Sequence, residues 1–258
     1  INSPEIIKIA HAREFLDHPD HRKVHKNSIP TLGGVGIFAA FIISVLLSSF
    51  INISSEIQYL LGATFLIVLV GTRDDLLSLG ATSKLIVQFF AACIAVYFAE
   101  IHFTSLHGLF GIYEVSLIIA YPASIFTIIV ITNAFNLIDG IDGLAGGIAV
   151  MVSGFFGVYF MLNDQLFMAL LSFVLIGALC GFLEHNLSKE QKLFMGDSGS
   201  LFTGFLLAYL IVEFLHFNLS TESGYRLENA PIIALAIIGN MILNTINSSF
   251  FLALEKSR

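Results

Sequence analysis

The chain has 258 residues, of which 56% are hydrophobic and only 12% charged, and its mean hydropathy is +0.87. A soluble domain carries about 25% charged residues, so this composition excludes one and points to an integral membrane protein. The net charge of −7 comes without the basic clusters of a nucleic-acid binder, and Cys93 and Cys180 both lie in apolar runs, where packing is a better account than a disulfide or metal framework.

A hydrocarbon core of about 30 Å needs about 20 apolar residues as helix. Eight segments qualify in chain order: 34–52, 57–73, 84–102, 115–133, 144–162, 165–183, 199–217 and 230–252. The second is short, and the eighth is interrupted by Asn240, Asn244 and Asn247. Only helices and closed barrels satisfy their backbone in lipid, and these runs are too long and too continuously apolar for barrel strands. The expected fold is all-α, a polytopic transmembrane bundle of about eight spans forming one domain over residues 1–258.

Eight alternating spans sort the connections into two sets. Eleven of the twelve Lys and Arg fall in or beside the set made of 1–33, 74–83, 134–143, 184–198 and the stretch from 253; Arg226 alone falls in the other. The positive-inside rule makes the first set cytoplasmic. Asp74, Asp75, Asp139, Asp142 and Asp197 lie in three connections of that same set. The spans were drawn on hydrophobicity alone, so this convergence is independent, and it suggests one acidic site built from several helix ends.

Four polar segments carry the chemistry. DHPDHRKVHKNSIPTLGG (Asp17–Gly34) offers cations and a glycine-rich approach to a helix start, as a phosphate requires, although a topology-setting basic loop would read the same. GTRDDLLSLGATSK (Gly71–Lys84) puts two carboxylates at a span end. Such a pair suits a divalent ion shared with substrate phosphates, or else a solvated helix end partnered by Arg73 and Lys84. In NAFNLIDGIDGLAGG (Asn133–Gly147), Asn133, Asn136, Asp139 and Asp142 recur every three residues. Either this group wraps around a bulky ligand, or Gly140 and Gly143 break the helix and turn the carboxylates inward; amides and carboxylates together can read a sugar or a base. FMGDSGS (Phe194–Ser200) precedes a span, so Asp197 lies at a helix N-terminus with Ser198 and Ser200 as caps, and Phe194 is either an interfacial anchor or a stacking surface. The Asn-x-Ser triplets at Asn52, Asn186, Asn218 and Asn247 are frequent by chance and carry no weight.

Together, RKxH…IPTLGG (Arg22–Gly34), GxxDDL (Gly71–Leu76), NAxNLIDGIDGLAGG and FMGDSGS resemble the polyprenyl-phosphate N-acetylhexosamine-1-phosphate transferases, the MraY/WecA/TagO group. The resemblance spans nearly the whole chain, with the four motifs in order. It implies transfer of a sugar-1-phosphate from a UDP-N-acetylhexosamine to a polyprenyl phosphate (undecaprenyl phosphate in bacteria), with release of UMP, as the first membrane step of cell-envelope polysaccharide synthesis. It also implies Mg2+, with Mn2+ as the alternative ion, a homodimer, and a multi-pass position in the bacterial inner membrane with the site facing the cytoplasm. RKVH and IPTLGG look more like the WecA/TagO branch, which implies UDP-GlcNAc rather than UDP-MurNAc-pentapeptide as donor.

Carried over by motif, Asp197 and Asp75 are expected at the metal. Asp74, Asp75, Asp139 and Asp142 are expected to be catalytic, and Lys84, Asn133, Asn136, Phe194, Arg22, Lys23 and His25 to bind substrate. The acceptor monoester, with a second pKa of about 6, is largely a dianion at neutral pH and needs little help from a base. Direct in-line attack is therefore expected, with a two-step route through an aspartyl-phosphoryl intermediate as the alternative. The family also has a span before the RKxH loop, a His-rich loop beyond the last span, and an Asp where GNMILNT places Asn244, so the chain reads as truncated at both ends. A transporter would put its polar residues near the bilayer midplane. A CDP-alcohol phosphotransferase would continue Asp142-Gly143 differently, and an intramembrane aspartyl protease would need a second motif.

Overall fold

Each of the eight apolar runs becomes a helix, the conformation that satisfies a backbone in lipid from within its own segment. The structure, a computed structural model, describes residues 16–17, 29–48, 55–106, 108–220 and 225–256. Arg22, Lys23 and His25 lie outside the described residues.

The helices are α1 (Gly33–Leu47), α2 (Ser55–Leu77), α3 (Ala81–Tyr97), α4 (Leu117–Ile138), α5 (Leu144–Leu162), α6 (Leu166–Asn186), α7 (Gly196–Ser220) and α8 (Ala230–Lys256). Five of them, α4 to α8, are long and apolar enough to cross a membrane by length and composition. Helix α1 has 15 residues and α3 has 17; at 1.5 Å per residue they reach only about 22 and 25 Å. A two-residue antiparallel bridge, β1 (Leu16–Asp17) with β2 (Ile29–Pro30), closes the segment before α1 in the register Leu16 to Pro30 and Asp17 to Ile29.

Helix α7 is the axis of the bundle: 89% of its span is buried, against 22% for α8. It packs on α1, α2, α4, α5 and α8, and α5 and α6 form a hairpin at its flank. Small residues let neighbouring backbones approach it closely, as is usual where helices associate in lipid. A Cβ on Gly34 of α1 would lie 2.0 Å from the Gly199 nitrogen, and one on Gly71 of α2 would lie 2.5 Å from the Ser198 Cα. Rings fill the wider gaps: Phe202 meets Phe38 and Phe41 edge-on, and Phe214 meets Tyr159 edge-on. Ile118, Ile119, Phe126 and Met151 point outward, as suits a lipid solvent.

Candidate functional site

The alternation expected from the sequence brings the starts of α1, α3, α5 and α7 and the ends of α2, α4 and α6 to one end of the bundle. Hydrogen bonds tie them there. Gly33 and Gly34 donate their N–H groups to the Phe194 and Met195 carbonyls at 3.1 and 2.8 Å, and Phe194 donates to the Pro30 carbonyl at 2.9 Å. The IPTLGG segment is thus docked along FMG, two motifs some 160 residues apart. Gly196 has φ +70, which L side chains avoid, and a Cβ there would meet the Asp75 carboxylate at 2.8 Å, so a glycine is required on both counts.

Asp75 is a cap supplied by another helix. Its Oδ1 accepts the Asp197 N–H at 2.7 Å and its Oδ2 the Ser198 N–H at 3.1 Å, satisfying two of the open donors of the α7 N-terminus. The positive end of the α7 dipole favours the same carboxylate. The sequence assigns capping to Ser198 and Ser200; Ser200 instead turns its Oγ–H to the Gly196 carbonyl at 2.9 Å.

Asp197, one residue into α7, is the meeting point of three motifs. Lys84 Nζ donates to its Oδ2 at 2.8 Å, and Asn136 Nδ2 donates to its Oδ1 at 2.6 Å and to Ser200 Oγ at 2.7 Å. The same Lys84 ammonium pairs with Asp74 at 2.5 Å, and Asp74 also accepts the Leu79 N–H at 2.5 Å. Asp74 is 7% exposed, which removes the solvated-helix-end reading for it.

The Asn133–Asp142 series does not form one face. Helix α4 stops at Ile138, Asp139 is its C-cap, and Gly143 in the left-handed region opens α5. The helix therefore breaks, one residue before the first glycine. Asn136 reaches Asp197. Asn133 pairs instead with Gln88 on α3, donating to its Oε1 at 2.5 Å and accepting from its Nε2 at 3.3 Å. Asp139 is half-buried beside Asp75 and Asp142. Desolvation, and then those two charges, push its carboxyl up from 3.8 to about 7. Asp142 is exposed and paired with Lys192, whose Nζ also stands 5.8 Å over the Phe194 ring.

Two residues with no signal in the sequence complete the frame. Asn186, 5% exposed at the end of α6, accepts the Gly143 N–H at 2.7 Å and donates to the Leu193 carbonyl at 3.0 Å, bolting the Asp139–Gly143 turn to the Phe194 loop. Gln88, 1% exposed, is the other. Asn186 sits in an Asn-x-Ser triplet and Gln88 in an apolar run, so neither has a local pattern to mark it.

Five carboxylates therefore share this end, and among the described residues Lys84 pairs with Asp74 and Asp197 and Lys192 with Asp142. Among the described residues no three His, Cys, Asp or Glu converge closely enough to hold a metal unaided. Mg2+, however, uses one or two carboxylates and completes its shell with substrate oxygens and water. Asp197, flanked by the Asn136 amide and with its residue half-buried rather than sealed, fits that mode of binding. Asp75 fits it less directly: both its oxygens cap fixed backbone N–H groups of α7, whereas those of Asp197 are held by the Lys84 and Asn136 side chains, which can turn aside.

Comparison with known proteins covers the stretch that holds Asp74 to Asp197. A family described as glycosyl transferase family 4 matches residues 57–215. The chain is similar to a probable undecaprenyl-phosphate N-acetylglucosaminyl 1-phosphate transferase of Bacillus subtilis, 33% identical over 246 residues, covering 95% of this chain and 66% of that protein. It is also similar to the undecaprenyl-phosphate alpha-N-acetylglucosaminyl 1-phosphate transferases of Salmonella typhi, 31% identical, and Escherichia coli K12, 26% identical, each covering 93% of this chain and 64% of the relative. The chain thus spans just under two thirds of the length of these relatives. With its apolar helices, this makes it an integral membrane protein.

Proposed function

Because the chain belongs to glycosyl transferase family 4, we propose that it transfers N-acetylglucosamine-1-phosphate from UDP-GlcNAc to undecaprenyl phosphate and releases UMP, at the cytoplasmic face of a bacterial inner membrane. The observation that carries this reading is Asp197 held between Lys84 of the second motif and Asn136 of the third, with Asp75 beneath it. The names of the similar proteins support the choice of sugar and lipid.

The reaction joins two anions. An oxygen of the lipid phosphate attacks the β-phosphorus in line, and the bond from that phosphorus to the bridging oxygen breaks, leaving UMP and a lipid diphospho-sugar. The acceptor is mostly a dianion at neutral pH, so positioning and charge screening matter more than proton removal. Asp197, held by the Asn136 amide, would hold Mg2+, which when bound would supply charge screening for the diphosphate and the leaving UMP. Lys84, fixed by Asp74, lies beside the same carboxylate and adds a second positive charge. Asp75 keeps the α7 N-terminus and hence Asp197 in place. Asp139 and Asp142, on the turn bolted down by Asn186, form the wall toward the sugar, and Phe194 offers a ring face to uracil. Arg22, Lys23 and His25 are the candidate ligands of the lipid phosphate.

The test is transfer from UDP-[14C]GlcNAc to undecaprenyl phosphate with Mg2+ by the protein in detergent or liposomes. Labelled lipid and stoichiometric UMP are expected. Absence of lipid product with every UDP-N-acetylhexosamine tried would overturn the reading.

A further inference from the structure

The Lys84–Asp197–Asn136 junction has a second rung one turn along both flanking helices. Lys84 and Gln88 are four residues apart on α3, and Asn133 and Asn136 are three apart on α4, so in each pair both side chains lie on one helix face. Lys84 and Asn136 meet on Asp197; Gln88 and Asn133 meet each other in a reciprocal amide pair. Asn133 Nδ2 also donates to the Ile129 carbonyl at 2.8 Å, which fixes its rotamer. Gln88 is 1% exposed and faces α4, where its amide has no water to fall back on. Farther along, α3 and α4 meet through the Tyr97 and Tyr121 rings, packed edge-on; a paired amide is directional and fixes register more narrowly.

We propose that Gln88 is a positioning residue: through Asn133 it sets the separation and register of α3 and α4 at which Lys84 and Asn136 both reach Asp197. This deepens the proposed reaction and rests on that reading for its effect on turnover. The two helices approach Asp197 from different sides, so a shift of about 1 Å detaches one of its two partners. A misplacement of that size is enough to lower a transfer rate by up to about 100-fold.

Gln88→Met keeps the volume and removes the amide. It is expected to lower kcat/KM at least about tenfold with the melting temperature within about 5 °C of the parent, since Asn133 keeps its bond to the Ile129 carbonyl and only its oxygen loses a donor. The exchange Gln88→Asn with Asn133→Gln rebuilds an amide pair of the same total length and is expected to recover activity to within about threefold of the parent. An activity-independent readout uses Lys84→Cys with Asn136→Cys in a Cys93→Ala, Cys180→Ala background. A short bifunctional thiol reagent is expected to link the pair when Gln88 is present and at least about fivefold more slowly with Gln88→Met. Unchanged kcat/KM in Gln88→Met, a loss that follows loss of folded protein, failure of the folded exchange variant to recover, or an unchanged linking rate would each overturn the proposal. If the parent protein transfers no sugar at all, the function reading fails, and the linking rates alone decide for or against the rung.

Discussion

At one end of the bundle the helix termini are tied by charge: Asp75 on the α7 N–H groups, Lys84 between Asp74 and Asp197, and Lys192 on Asp142. At the other end a neutral tie is found among the described residues. Asn218, at the end of α7, accepts the Tyr159 hydroxyl at 2.9 Å and the Leu227 N–H at 2.9 Å and donates back to the Leu227 carbonyl. The far end also has a cleft of about 950 Å3 lined by Thr104, Tyr113, Glu114, Arg226 and Glu228. The difference teaches that room does not mark the chemistry here. Carboxylates held at helix ends by partners from other helices do, as the proposed function asks of groups that would meet a metal and phosphates.

The comparison can be broken hardest at the glycines of one helix. In α2, a Cβ on Gly71 would stand 2.5 Å from the Ser198 Cα and 2.7 Å from the Asp197 carbonyl oxygen, whereas one on Gly62 would meet nothing within 4 Å. Gly71→Ala should push α2 off α7, cost about 3 kcal/mol and abolish transfer. Gly62→Ala should leave stability within about 0.5 kcal/mol and activity unchanged. Thermal melts and transfer assays on both variants check this; equal behaviour would show that the charged end is not closely packed on α7.

A smaller effect follows from Asp139. In the unfolded chain it ionises near 3.8 and in the folded protein near 7. Between these values the unfolded chain releases the proton first, so its contribution to stability falls as pH rises and the penalty is complete above about 7. Asp139→Asn should therefore raise the melting temperature near pH 8 and leave it unchanged near pH 3.5. A gain of the same size at both values would contradict the crowding of Asp75, Asp139 and Asp142. The smallest effect belongs to the far end: Arg226→Gln, in the cleft, should change transfer by less than about twofold, and a larger loss would bring that cleft into the mechanism.

Much of this contrast was legible in the sequence, because lipid leaves a chain few choices. Runs of apolar residues had to be helices, and alternating them delivered Asp74, Asp75, Asp139, Asp142 and Asp197 to one end. What stayed hidden was which groups meet. Asp75 caps a helix that begins more than 120 residues later, and nothing near it in the chain says so. Asn133 and Asn136 look equivalent in a three-residue repeat, yet the rise of about 4.5 Å between them on one helix face sends one to Gln88 and the other to Asp197. A break at Gly140 and Gly143 is one of two readings the spacing allows; the helix does break, but at Asp139, where the crowded carboxylate itself leaves the helix. Single buried amides such as Gln88 and Asn186 follow no periodicity, and only the packed bundle shows what they hold.

The claim on which all of this depends is that Asp197 is the centre of a phosphoryl-transfer site. Turnover of Asp197→Asn, measured with UDP-GlcNAc and undecaprenyl phosphate at saturating Mg2+ beside the parent protein, tests it directly. The account predicts a loss of at least about 1,000-fold, with the melting temperature within a few degrees of the parent because the Asn136 and Ser200 contacts can persist. Parent-level turnover in the folded variant would contradict it.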